Sequence, residues 1–301
     1  MSRIIGRLLG LGLVLLATPA MAQIVDSPRA MGMGGAVAGD PMVNSALVYN
    51  PAGMARAMVY SAQGQFFRSA PAGLNSVGAN VVDSKSQPRL AMGVAYGYVF
   101  SDSDAPVTVN GHDVRLGVAS PMNARGNLTV GLTLHYLHLD RETNTEATPP
   151  SGLASRPLVE DFKRLTADVG LLWSLNETVH VGLVGYNLIE TGNPELPRQA
   201  GGGLGFTVGQ ASVDLDLLGD FDSAEKTEMV VRGGMELLLA DILPLRGGFI
   251  LDKAHDRTIA TGGVGFMGGV PGSSYQINLA YQQDLDDKDA FEISAGMSFF
   301  L

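Results

Sequence analysis

The sequence predicts an all-β protein, a transmembrane antiparallel β-barrel of about fourteen strands, and three observations carry that reading. Apolar residues recur at period two in segments roughly ten residues long, the reach of a tilted membrane strand. The apolar faces so formed are nearly free of charge. Between the segments stand glycine, proline and acidic residues, the chemistry of turns and loops.

Composition sets the frame. The chain has 301 residues, of which 46% are hydrophobic and only 17% charged, with 39 glycines. Beyond residue 23 no stretch approaches the ~18 uninterrupted apolar residues of a spanning helix, so the hydrophobicity has to be spread along strands. One domain is the simplest organisation. A formal net charge of -10 excludes nucleic acid as a partner, because neutralising phosphates takes clustered Lys and Arg. Cysteine is absent, which removes disulfides, thiolate metal sites and cysteine nucleophiles.

Residues 1–22 read as a signal peptide. Arg3 and Arg7 make a positive start, residues 8–16 an apolar run, and Ala20, Met21 and Ala22 a small-residue cleavage site, so the mature chain is expected to begin at Gln23. The apolar run is roughly half the ~20 residues of a membrane span and meets Pro19. An exported protein with this build points to the cell outer membrane.

The strands follow in order. Leu90, Met92, Val94, Tyr96, Tyr98 and Phe100 share one face, with Ala91, Gly93, Ala95 and Gly97 between them. Leu128, Val130, Leu132, Leu134 and Tyr136 alternate with Thr129, Gly131, Thr133 and His135. The same reading places strands at 59–68, 74–82, 90–100, 113–120, 128–139, 162–173, 178–188, 201–208, 211–218, 228–239, 245–251, 257–267, 274–283 and 290–300. The last of these keeps Phe291, Ile293, Ala295, Met297, Phe299 and Leu301 on one face to the final residue.

Loop parity orients the barrel. Bacterial barrels alternate short periplasmic turns with longer external loops. Connections after even strands are short, as at 174–177, 209–210, 240–242 and 268–271, and those after odd strands include 140–161 and the acidic 220–227, 252–256 and 284–289. A soluble β-sandwich would alternate too, but it would turn its polar residues outward. The acidity of the outer loops suits outer-membrane lipid and lipopolysaccharide as partners, bridged by divalent cations.

Between the leader and the first strand the period of two is missing. Here stand Arg29, Gly32, Gly34, Gly35 and Ala36, then Tyr49, Asn50, Pro51, Ala52 and Gly53. This arginine-containing GMGGA start with a YNPAG motif resembles the FadL family of long-chain fatty-acid transporters and its relatives, including the PorV-like barrels of secretion systems. The resemblance implies a fourteen-stranded barrel closed by an N-terminal hatch, with hydrophobic ligands entering from outside and leaving sideways through a gap in the wall. It implies three parts: a signal peptide over 1–22, a plug over 23–57 inside the lumen, and a barrel over 58–301. Gly32, Gly34, Gly35, Tyr49, Asn50, Pro51 and Gly53 are the candidate plug and ligand residues. The glycines permit close backbone approach and positive φ, Pro51 fixes a turn, and the Asn50 amide can satisfy backbone groups.

Extending the alternation turns His135, Arg164, Asp168, His180, Asp214, Asp216, Arg232, Glu236 and Arg246 toward the lumen. Both signs occur there, which favours internal ion pairs and a plugged interior over an open pore. Other motifs carry little. Residues 263–268 fit a dinucleotide fingerprint but are followed by Pro271 and another strand instead of a helix. His135 and His138 are three apart on a strand and face opposite ways, so no metal site is expected. The acidic run at Asp284, Asp286, Asp287 and Asp289 lacks the EF-hand glycine and glutamate.

No cofactor is expected, and no serine sits in a nucleophile motif, so an outer-membrane hydrolase ranks last. The leading expectation is passive transport of hydrophobic, fatty-acid-like compounds across the outer membrane. Only 140–161 is a sizeable external loop, so a long capture groove is not expected. That departure raises the alternative of a PorV-like binding or scaffold barrel with an envelope protein as partner.

Overall fold

The computed structural model describes residues 27–301, apart from 71–72, 88, 104, 106, 144–160, 192–195 and 225. The leader read from residues 1–22 and most of the predicted 140–161 loop lie outside the described residues.

Fourteen antiparallel strands close into one barrel. In chain order they are β1 Tyr60–Ala70, β2 Leu74–Asp83, β3 Ala91–Ser101, β4 Val107–Pro121, β5 Leu128–Thr143, β6 Phe162–Ser174 and β7 Val179–Tyr186. They continue as β8 Gln199–Val208, β9 Ala211–Asp220, β10 Glu228–Leu239, β11 Leu243–Asp252, β12 Arg257–Val270, β13 Ser273–Asp284 and β14 Phe291–Phe300. Each pairs with its neighbours in sequence, and β14 returns to β1 through ten register pairs from Ser61 opposite Phe300 to Ala70 opposite Phe291. Closure extends to the last residue, since Leu301 N donates to Tyr60 O at 2.8 Å and Tyr60 N to Leu301 O at 3.1 Å. A closed ladder leaves no strand edge, which is what a sheet needs when no water is present to satisfy its backbone.

The alternation sorts as the sequence predicts. On β13, Ile277, Leu279 and Tyr281 stand exposed on the outer face, while Gln276, Asn278, Ala280 and Gln282 are buried inside. The reason is solvent inversion: the outer face is built for an apolar surrounding and the inner one for polar partners.

Two strands run further than the pattern suggested. The segment at 113–120 begins at Val107, and that at 128–139 continues to Thr143, with Val107 paired to Thr143. Their extra turns of pleat carry Asn110, His112 and Asp140 on the outer face, so the hydrophobic signal stops before the hydrogen-bond ladder does. Likewise β8 starts at Gln199 rather than 201, and β12 reaches Val270 across the dismissed fingerprint.

The start of β1, the end of β14 and the turns after even strands gather at one end of the barrel. Those after β8 and β12 are two-residue turns, with Gly209 and Gly272 at φ values of 59° and 85°, while those after β2 and β4 run through 84–90 and 122–127. The opposite end carries the two longest connections, 144–161 and 187–198, together with short links at 71–73, 102–106 and 253–256.

The apolar belt makes a direct prediction. Leu279 lies at mid-height of β13 and is 54% exposed. Replacing it with arginine should destabilise the protein folded into lipid vesicles by about 2–4 kcal/mol, read from reversible urea unfolding. A change near zero would mean that the belt does not face hydrocarbon.

Candidate functional site

The inner wall of the barrel is where the chemistry-bearing residues meet. Residues 27–57, ahead of β1, form helix α1 (Pro28–Gly32), helix α2 (Val43–Tyr49) and a 3-10 turn over Pro51–Ala55. Pro28 opens α1, where its missing N–H costs nothing. Gly34 and Gly35, at φ of 64° and 68°, turn the chain out of it. Asn50 stops α2 and caps the turn, its Oδ1 accepting from Ala52 N at 3.2 Å.

This segment is held to the wall by hydrogen bonds from individual side chains. Asp216 of β9 accepts from Val37 N and Ala38 N, each at 3.0 Å. Asn50, completely buried, donates to Ala38 O at 2.8 Å and to Leu171 O of β6 at 3.3 Å. Thr129 donates to Ala52 O and Thr261 to Gly32 O, both at 3.0 Å. The Tyr186 hydroxyl donates to the Tyr49 carbonyl. Arg56 is ion-paired with Asp40 and lies 3.0 Å from His180 Nε2.

Close approach requires small wall residues. A Cβ placed on Gly131 would strike Pro51 and Ala52, one on Gly170 would strike Asn50, and one on Gly182 the Ala38 carbonyl. Within the segment, Gly32 lies against Gly263 and Gly53 against Pro41. Apolar packing completes the seat, as Leu47 and Met54 join Val82, Ala91, Ala95 and Leu137 in one buried cluster.

Two charged networks flank the segment. On one side Glu236 accepts from Arg29 Nε at 3.2 Å and from Arg246 Nε at 2.5 Å, while Arg246 Nη1 donates to Asn278 at 2.8 Å. On the other, Asp113 is 3.2 Å from both Arg115 and His135, and Asp168 accepts from Asn187 N at 2.7 Å. Buried charge is tolerable only when paired in this way.

A cavity of about 140 Å³ lies beside these networks, toward the end with the longer connections. Val48 and Tyr49 border it on the segment side, with Arg115, His135, Asp168, Tyr186 and Arg232 around it. Val230, Ile250, Ile259 and Leu196 supply apolar wall. At its outer margin His255 Nδ1 lies 2.8 Å from Asp252, a hydrogen bond that raises the imidazole pKa.

The nine polar residues expected in the lumen do not all gather at one place. His135, Asp168 and Arg232 line the cavity, Asp214 and Asp216 sit buried behind the segment, and Glu236 and Arg246 belong to the Arg29 network. His180 faces Arg56 nearer the opposite end. Arg164 is exposed at the rim, where it donates to Thr191 O at 2.9 Å and lies over the Phe162 ring. Strand parity gave its direction, but it stands too near the strand end to be enclosed.

Asp113 and Arg115 were missed. Their signal was present, because Val114, Leu116 and Val118 point outward and so turn both charges in. Asp40 left no periodic trace, since it lies outside the strands, whereas Asn187 fell inside the segment expected at 178–188 and stands just past the end of β7 at Tyr186.

Asn50 offers a test of the seating. Asn50→Ala strips donors from two buried carbonyls and should cost about 1–3 kcal/mol locally. Amide hydrogen exchange should rise over residues 38–52 while β5, β6 and β9 stay protected. Uniform exchange across barrel and segment would show that the two unfold as one.

The sequence matches no family model and no curated protein. Solved structures do resemble it in fold. The CymD monoaromatic hydrocarbon channel aligns with a TM-score of 0.64 and 14% identity, over 92% of this chain and 97% of that one. A Pseudomonas aeruginosa FadL homologue gives 0.59 at 12% identity, over 91% and 97%. The Pseudomonas putida toluene transporter TodX gives 0.58 at 12% identity, over 92% and 99%. At such identities the likeness is one of architecture: this chain has the barrel fold of the FadL-type channels.

Proposed function

We propose that the protein is a passive outer-membrane channel for small hydrophobic compounds, with residues 23–57 as a plug, residues 58–301 as the barrel and residues 1–22 as a cleaved leader. The observation that carries this is the lumen itself: a segment anchored by separate hydrogen bonds beneath a partly apolar cavity. Each such bond contributes on the order of 1 kcal/mol, so the plug can shift without unfolding the barrel.

Cavity size bears on the cargo. At about 140 Å³ it matches the ~150 Å³ apolar cavity that takes up benzene and is too small for a whole long acyl chain. The fold neighbours named for toluene and monoaromatic hydrocarbons agree with a compact cargo more than with a fatty acid. Gly32, Gly34, Gly35, Pro51 and Gly53 serve to seat the plug, whereas Tyr49, with His135, Asp168 and Arg232, meets the cargo. The end with the longer, acidic connections faces outward, toward lipopolysaccharide.

Cells expressing the full chain should accumulate labelled toluene faster than cells without it. Deleting residues 23–49 should change that rate several-fold while leaving the amount of heat-modifiable barrel in the outer membrane unaltered. An unchanged rate with normal barrel would overturn the plug. Absence of uptake, together with a stable protein partner cross-linked through the 140–161 connection, would favour a scaffold barrel instead.

A further inference from the structure

The outer face carries one feature that transport does not use. Among the described residues, the Lys, Arg and His side chains that point outward from strands are Arg68, His112, His138 and Lys163. Arg68 is consumed by Asp102, at 2.8 and 3.2 Å, and by Asn75 at 2.9 Å. The other three are direct cross-strand neighbours. Register places His112 of β4 opposite His138 of β5, and His138 opposite Lys163 of β6. Tyr98 of β3 extends the row, with its ring centroid 5.4 Å from that of His112.

Each imidazole is fixed through one nitrogen and leaves the other available. His112 Nδ1 meets the Tyr96 hydroxyl at 2.8 Å, and His138 Nε2 meets Asp140 at 2.9 Å. The two rings stand 6.1 Å apart. Lys163 is exposed and has no ion-pair partner among the described residues. With strands about 4.8 Å apart, the three groups span roughly 10 Å, the width of a phosphorylated sugar.

What lies on either side decides the occupant. One pleat toward the belt, Tyr96, Val114, Tyr136 and Leu165 form the next row in the same register, all apolar or aromatic. One pleat the other way stand Phe100, Asn110 and Asp140, polar on β4 and β5. The basic row thus marks the line where hydrocarbon gives way to headgroups, and an anionic group held there would lay its chains along the row beneath it. A soluble acidic partner has no use for that apolar row.

We propose that Tyr98, His112, His138 and Lys163 form a binding site for a phosphorylated amphiphile of the outer leaflet, its phosphate on the two imidazoles and the ammonium. The site rests on the membrane reading given above. It is separate from the lumen, so it anchors and orients the barrel and does not handle cargo.

The test uses the full chain extracted in detergent and placed in phosphatidylcholine nanodiscs containing an acylated glucosamine disaccharide. This glycolipid is supplied either with its two phosphates or dephosphorylated. Native mass spectrometry counts the glycolipid retained. The wild type should retain the phosphorylated form about ten-fold more than the dephosphorylated one, and His112→Gln, His138→Gln and Lys163→Gln combined should abolish that preference. Lys253→Gln, in the turn after β11, should leave it intact. Equal retention of the two forms by the wild type, or undiminished preference in the triple variant, would overturn the site. The three side chains face outward, so the variant should remain heat-modifiable. A wild type lacking heat-modifiable migration would refute the membrane reading itself, and the site with it.

Discussion

A fourteen-strand barrel encloses more space than its own side chains can fill, and that excess governs the rest of the structure. About eight strands make a barrel whose interior closes on inward residues alone. With six more, the wall must be lined by something else or stand open. Here the N-terminal segment packs against it, and the wall is correspondingly stripped of side chains where backbone meets backbone, as at Gly131, Gly170 and Gly182. The abundance of glycine in this chain is in large part the imprint of that fit.

The same constraint explains the polar interior. The segment is two short helices and turns set against strands, so its hydrogen-bonding groups cannot pair with the wall in regular ladders. Side chains bridge the gap instead: Asp216 takes two backbone N–H groups, Asn50 ties two separate carbonyls, and Thr129 and Thr261 take one each. Where cations enter, as with Arg29 and Arg246 on Glu236, they come with an acid already placed opposite. Between these fixed points the cavity beside Tyr49 and Arg232 is the space left over.

On the outside the controlling quantity is the thickness of the apolar belt. Strands β4 and β5 outrun it, and their outer faces change from Val114 and Tyr136 to His112 and His138 within one pleat. A ladder can continue into water, because its hydrogen bonds are internal to the sheet; a hydrophobic pattern cannot. The row of His112, His138 and Lys163 exists because three neighbouring strands cross that boundary in register.

Much was legible in the sequence. Period-two alternation determined the barrel, its strand number, the faces of His135, Asp168, Asp214 and Asp216, and a terminal strand running to Phe300, since direction along a strand is a local property. Glycines at 34 and 35 and proline at 51 announced where an aperiodic segment would turn. Only the tertiary structure decided which wall residue meets which part of that segment. Pairs such as Asp216 with Val37 and Ala38, or Glu236 with Arg29, join positions nearly two hundred residues apart or more, and no periodicity encodes them. It also decided that Arg164 ends at the rim, and that His112, His138 and Lys163 stand side by side, because height in the barrel and cross-strand register depend on how every intervening strand is staggered.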